Sequence, residues 1–257
     1  MAMPCLERQG ITDLVPASNK QAGWVNQVRQ VRPPEDMFHQ SDLSAANRMD
    51  PDTGDPVPLY PSQRVIAMGA SSGGAEALTQ VLTELPPQTP GILIALHLPY
   101  AYVNSFCRRL RHACNMAVAQ AENGDRVVDG RILVVAQEQD MTLRSDDRGY
   151  FVQVEPGPDE DRHRHPIDTL FHSVAQQARE NAIGVILTGV GRDGAEGLLT
   201  IRHKGGRTIA QDYRTSAVFG MPKSAIHLGG VETIASLEDI SRVLQQLVNR
   251  QIEPEVN

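Results

Sequence analysis

The sequence predicts a doubly wound α/β domain: a mainly parallel sheet with an antiparallel edge hairpin, in a three-layer αβα arrangement. Three observations predict it. Short apolar runs, from RVIAMG at Arg64 to VETIA at Val231, alternate with segments whose apolar residues recur at helical spacing, the pattern of βαβ units. Two of the runs, GILIALH and AIGVILTG, are almost unbroken in their apolar character, as strands covered on both faces must be. Glycine-rich turns follow RVIAMG and AIGVILTG and suit tight strand-to-helix connections.

Taken in order, RVIAMG is the first strand and AEALTQVLTEL the first helix, with Ala77, Leu78, Val81 and Leu82 on one face. GILIALH is the second strand, and a helix after Pro99 turns Val103, Phe106, Leu110 and Cys107 inward. RILVVA, MTLRS and YFVQVE read as short strands broken by the turn SDDRG, an antiparallel excursion at the sheet edge. Parallel alternation resumes with the helix IDTLFHSVAQQARE, the strand AIGVILTG, the helix GAEGLLTIRHK, the strand RTIAQ and a short helix after Met221 and Pro222. The closing unit is VETIA followed by SLEDISRVLQQLVNR, where Ser236 and Asp239 have the spacing of a capping box.

Residues 1–62 are expected to be a flexible tail and linker. Their large apolar groups, including the only tryptophan, Trp24, are too scattered to build a core, and DPDTGDPVPLYPSQ closes the segment with four prolines. Residues 63–250 form the folded domain and 251–257 a short C-terminal tail. A formal charge of -7 and a pI near 5.6 argue against nucleic acid as the main partner, since that binding needs a basic face. No membrane insertion is expected, because no apolar run approaches the roughly 20 residues that span a bilayer. Cys5, Cys107 and Cys114 make neither a disulfide framework nor a Cys-x-x-Cys pair. A reducing cytoplasm fits, with Cys107 and Cys114 serving as packing groups.

The chemistry is expected where parallel strands end, because loops and helix N-termini converge there. The first strand runs into Gly69-Ala70-Ser71-Ser72-Gly73-Gly74, a Gly-x-Ser-x-Gly turn of the nucleophile-elbow kind. Alone, this turn also describes a dinucleotide-binding loop. A ribose-binding protein wants an acid about 20 residues further on, whereas here the second strand ends at His97. An imidazole on the neighbouring strand is a general base for a hydroxyl. AIGVILTG leads to Asp193, the candidate third member, whose plainer role is the N-cap of GAEGLLTIRHK. The chain order Ser, His, Asp differs from that of the α/β-hydrolases.

These residues sit within motifs that, together, resemble the catalytic domain of chemotaxis protein-glutamate methylesterases: ASSGG, LHLP, HPIDTLFHSVA, GVILTGVGRDGAEG and TIAQDYRTSAVFGMPKSAI. The resemblance runs from about Arg64 to Val248. It implies Ser71, His97 and Asp193 as catalytic residues, backbone oxyanion donors at Ser72 and Val190, and no metal or organic cofactor. Val190 stands where the family usually has methionine. The implied substrate is the glutamyl methyl ester on the cytoplasmic helices of methyl-accepting chemoreceptors, with glutamine deamidation as a second reaction. Other chemosensory array proteins are further candidate partners. A receptor-binding module without turnover is the alternative.

Two departures from the family stand out. The 62 residues before the domain are too few for its usual receiver domain, so control by phosphorylation in cis is not expected. The loop before the hairpin reads Ala136-Gln137-Glu138-Gln139-Asp140, without the family's Pro-Gly and histidine. The run Arg162, His163, Arg164 and His165 follows Asp159 to Asp161. Its interleaved arginines would repel a metal ion, and the resemblance places Arg164 and His165 at the mouth of the cleft, facing acidic receptor helices. Met221 is expected to pack beside the cleft without a chemical role.

Overall fold

The computed structural model describes residues 60–157 and 165–249. The tail as far as Leu59, the loop 158–164 with Arg162, His163 and Arg164, and residues 250–257 lie outside this description. Seven strands form one parallel sheet: β1 (Val65–Ala70), β2 (Ile92–Leu96), β3 (Ala117–Gln120), β4 (Arg131–Val135), β7 (Ala182–Ile186), β8 (Arg207–Gln211) and β9 (Thr233–Ala235). Their spatial order is β3-β4-β2-β1-β7-β8-β9. From β1 the chain lays β2 beside it, passes to the edge with β3 and returns to fill the gap with β4, and then, from β7, winds outward on the other side. β1 is therefore the topological switch point, where such sheets open a crevice at the carboxyl ends of the strands.

Strand alternation divides the core between the two faces. Ile66, Met68, Ile92 and Ile94 meet α1 (Gly74–Thr83), α2 (Tyr100–Ala113) and α6 (Leu237–Asn249). Val65, Ala67, Leu93 and Ala95 meet α3 (Pro166–Ala178), α4 (Ala195–His203) and α5 (Gly220–His227) on the other face. The inward residues expected for α2 are all buried. Cys107 is one of them, and burial pushes both its thiol and that of Cys114 up to about 11, which suits packing and not nucleophilic chemistry.

The hairpin is present as β5 (Gln139–Asp146) and β6 (Gly149–Pro156), antiparallel and a two-stranded sheet of its own. Met141, Leu143 and Val152 tuck it into the α3 side of the core. Leu143 N–H donates to Ser173 Oγ at 2.9 Å, and Ser145 Oγ donates to Gln177 at 2.8 Å. RILVV departs from the expected antiparallel excursion. It is β4, fully buried and parallel to both β2 and β3. β3 itself has no clear sequence signal, since only Val118 of its four residues is buried.

At the opposite end of the sheet from the crevice, Pro61 pairs with Val128 in an antiparallel bridge. Ser62 Oγ accepts from Gly91 N–H at 2.7 Å and donates to Asp129 Oδ1 at 2.6 Å. Burial pushes the Asp129 carboxyl up to about 6, against the Ser62 hydrogen bond that lowers it. A carboxyl raised in the folded state is better protonated there than in the unfolded chain. Its contribution is therefore complete below the unfolded value near 3.8 and is lost as pH rises through about 6. Asp129→Asn keeps the acceptor and removes the titration. Its thermal midpoint should gain on wild type between pH 4 and 7 by the equivalent of about 1–2 kcal/mol, discounted for partial exposure. Parallel midpoint curves would contradict this.

Candidate active site

β1 delivers Ser71 directly after its last residue. The Ser71 N–H donates to Thr188 C=O at 3.0 Å, and Gly74 N–H closes a turn back to Ser71 C=O at 2.7 Å. Gly73, at φ 75, makes the turn before α1 and is in the region glycine adopts without strain. The Ser71 side chain is half-buried, and its Oγ makes no hydrogen bond among the described residues. The Ser72 N–H that follows has no backbone acceptor among the described residues and sits at the positive end of α1.

His97 follows β2, and its backbone N–H donates to Ala70 C=O at 3.0 Å. That bond ties the histidine to the residue just before the serine. The imidazole Nε2 lies 2.6 Å from Asp193 Oδ2, and the Asp193 side chain is 5% exposed against 27% for His97. Nε2 thus belongs to the carboxylate, which leaves Nδ1 as the nitrogen free to exchange a proton.

Asp193 does not cap its own helix. The N-cap of α4 is Gly194, at φ 87 and without a side-chain cap. The Asp193 carboxylate instead lies at the start of α3, where Oδ2 accepts from Ile167 N–H at 3.2 Å and Oδ1 from Asp168 N–H at 2.9 Å. Carboxylates are stabilised at a helix N-terminus by the unpaired N–H groups and the positive dipole end. His165, immediately before α3, brings Nδ1 to 3.7 Å from Asp193 Oδ1. It is therefore beside the carboxylate, while Arg164 lies outside the described residues. His165, Asp168 and Asp193 hold ligating atoms within 4.8 Å of one another, but both Asp193 oxygens and Asp168 Oδ1 already serve N–H donors.

The loop after β7 supplies the remaining wall. Gly189 N–H donates to Val218 C=O, and Gly189 C=O accepts from both Gly220 and Met221 N–H, so α5 starts against this loop. Val190 is 61% exposed, and its N–H has no backbone acceptor among the described residues. Met221 is fully buried, with its sulfur against Gly189. A methyl group added at Gly189 would come within 2.1 Å of Met221 Sδ and 2.8 Å of Ser71 Cβ. Gly189→Ala should therefore destabilise by about 1–3 kcal/mol and lower turnover by displacing Ser71. Wild-type melting and turnover would show that the loop can relax.

Two supporting residues escape the sequence reading. Thr188 Oγ1 donates to Ser72 C=O at 2.9 Å and accepts from Val218 N–H at 2.9 Å, while Thr188 N–H donates to Gln211 Oε1 at 2.8 Å. Gln211 is fully buried and holds Thr215 C=O at 2.8 Å. The available signal was a polar residue at the end of each of two apolar strands. Glu138, in the divergent loop, accepts from Tyr100 N–H at 2.9 Å and so caps α2. Around the crevice Tyr100, Tyr102, Val190 and Tyr213 are exposed, and Tyr213 meets Phe219 edge-on at 5.5 Å.

A parallel sheet between two helix layers that brings a histidine and a buried aspartate together beside a serine turn at its switch point defines a doubly wound α/β domain with a candidate site at its strand ends. Comparison with known proteins makes this particular: the chain belongs to the CheB methylesterase family, whose model matches residues 66–244. It is 44% identical over 191 residues to the protein-glutamate methylesterase/protein-glutamine glutaminase of Escherichia coli K12, covering 74% of this chain and 54% of that protein. It is 45% identical over 185 residues to the corresponding protein 1 of Burkholderia pseudomallei 1710b, covering 72% and 51%. The chain thus spans about half the length of the relatives it matches. The Thermotoga maritima CheB methylesterase catalytic domain superposes with a TM-score of 0.68 at 29% identity, over 72% of this chain and 98% of that one.

Proposed function

We propose that this domain is a protein-glutamate methylesterase that hydrolyses glutamate methyl esters on methyl-accepting chemoreceptors, and deamidates glutamines there, through Ser71, His97 and Asp193. The observation that carries this reading is the 2.6 Å His97–Asp193 pair on the strand end beside the serine turn. Ser71 Oγ attacks the ester carbonyl carbon while His97 Nδ1 takes its proton. Asp193 holds the imidazole orientation and offsets the positive charge that forms. The N–H groups of Ser72 and Val190 receive the oxyanion, each worth roughly 3 kcal/mol in the transition state. The imidazolium returns the proton to the departing methanol, or ammonia in deamidation. Water then repeats the sequence on the acyl-serine to release the glutamate and restore Ser71.

The exposed Tyr100, Tyr102, Val190 and Tyr213 offer an amphipathic rim for a receptor helix, with Arg164 and His165 taken, on the family resemblance, as substrate-side residues. Among the described residues no helix is long and apolar enough to cross a membrane. Wild type incubated with receptor carrying labelled methyl esters should release labelled methanol, and a fluorophosphonate should label it. Receptor binding without either result would assign a non-catalytic module instead.

A further inference from the structure

The two helices that meet behind the site, α3 and α4, both lack a local cap. His165 before α3 and Gly194 before α4 make no side-chain capping hydrogen bond. Their first turns nevertheless start in the interior, where unpaired N–H groups are costly. Each helix borrows its acceptor from the other. Asp193, on the approach to α4, accepts the Ile167 and Asp168 N–H groups of α3 at 3.2 and 2.9 Å. Asp168, in the first turn of α3, accepts the Gly197 N–H of α4 at 2.7 Å. The helices are also close enough that a methyl on Gly197 would lie 2.5 Å from Phe171 Cβ.

We propose that Asp168 is a positioning residue for Asp193: the exchanged caps fix the α4 start and, through it, the aim of the Asp193 carboxylate at His97 Nε2. This rests on the reading of Ser71, His97 and Asp193 as the catalytic set. A simple cap would not need its charge placed beside a second carboxylate. Here Asp168 is held above the ordinary carboxyl range by burial, with the Asp193 charge adding to the rise and Gly197, Gly194 and His172 opposing it. The charged or titratable groups facing it are Asp193, His165 and His172. The arrangement keeps Asp193 in one geometry because any shift of α4 uncaps both helices together.

The test uses the full chain with Asp168→Ala, Asp168→Asn and, as a control on the triad, Asp193→Asn. Asp168→Ala should lower kcat by about 10- to 100-fold, the scale of a small misplacement of a reacting group, with KM unchanged. Asp168→Asn keeps an oxygen for Gly197 N–H and should recover most of that loss. The downfield proton resonance expected of the short His97–Asp193 bond should move upfield in Asp168→Ala and return in Asp168→Asn. A lower melting temperature with wild-type kcat and an unmoved resonance would make Asp168 a fold stabiliser only and overturn the proposal. If Asp168→Ala does not fold, Asp168→Ser, whose shorter side chain withdraws the acceptor from Gly197 N–H, takes its place: loss of the resonance and of kcat there supports the proposal, and retention of both overturns it. Wild-type turnover by Asp193→Asn would instead reject the triad reading, whatever Asp168 does.

Discussion

Ser71→Ala is expected to lower kcat for methanol release by a factor on the order of 10⁶ while leaving the fold unchanged. When nucleophile and base act as a unit, removing either costs about as much as removing both, and only oxyanion and binding contributions survive. The substitution deletes one hydroxyl that makes no hydrogen bond among the described residues. The Ser71 N–H bond to Thr188 belongs to the backbone, and the Cβ that rests against Gly189 is retained. Melting should be unaltered, fluorophosphonate labelling should disappear, and release should fall to the residual rate that oxyanion stabilisation and binding support. Equal methanol release by variant and wild type would remove Ser71 from the mechanism.

Asp193→Asn should cost about 10⁴ in kcat and, unlike the serine change, should also cost stability. The two carboxylate oxygens face different donors: Oδ1 faces Asp168 N–H, whereas Oδ2 faces both Ile167 N–H and His97 Nε2. An amide supplies one oxygen and one NH2. If the nitrogen faces Asp168, two donors confront each other at the start of α3. If it faces His97, the imidazole must present a lone pair there and carries its proton on Nδ1, the nitrogen that should receive the proton of Ser71. Either orientation loses something, with loss of the cap worth about 1–2 kcal/mol. Single-turnover rates and thermal midpoints on the same preparation would separate the two losses. A rate within tenfold of wild type would place the orienting group elsewhere.

The parallel sheet was legible because buried strands must be continuous in their apolar character, and β1, β2 and β7 are read directly from that. β4 obeyed the same rule, with five buried residues in RILVV. Its sequence groups it with the antiparallel stretch because a genuine hairpin follows it and a sequence does not name a strand's partner. β3 was invisible because an edge strand with one inward residue, Val118, has no period to detect. For the candidate site, residue type at a strand end was enough to single out Ser71, His97 and Asp193. The groups that hold them were not singled out, because their partners are remote. Asp168 looks like any acid in a first helical turn until Gly197, 29 residues on, is seen to donate to it. Asp193 similarly looked like the cap of the helix it precedes, when its acceptors serve the helix before it.

The switch-point position of the crevice has a kinetic corollary. His97 and Asp193 are 96 residues apart, and they meet only after β1 has paired in register with β2 on one side, Ala70 opposite Leu96, and with β7 on the other, Gly69 opposite Ile186. The β1–α1–β2 crossover alone brings only the serine turn and His97 together, and Asp193 joins them once β7 has paired with β1. Such non-local pairings close late because the entropy of ordering the intervening chain is spent before they form. During refolding, turnover should therefore lag behind collapse and helix signal. Its recovery counts the molecules that have attained the correct strand order.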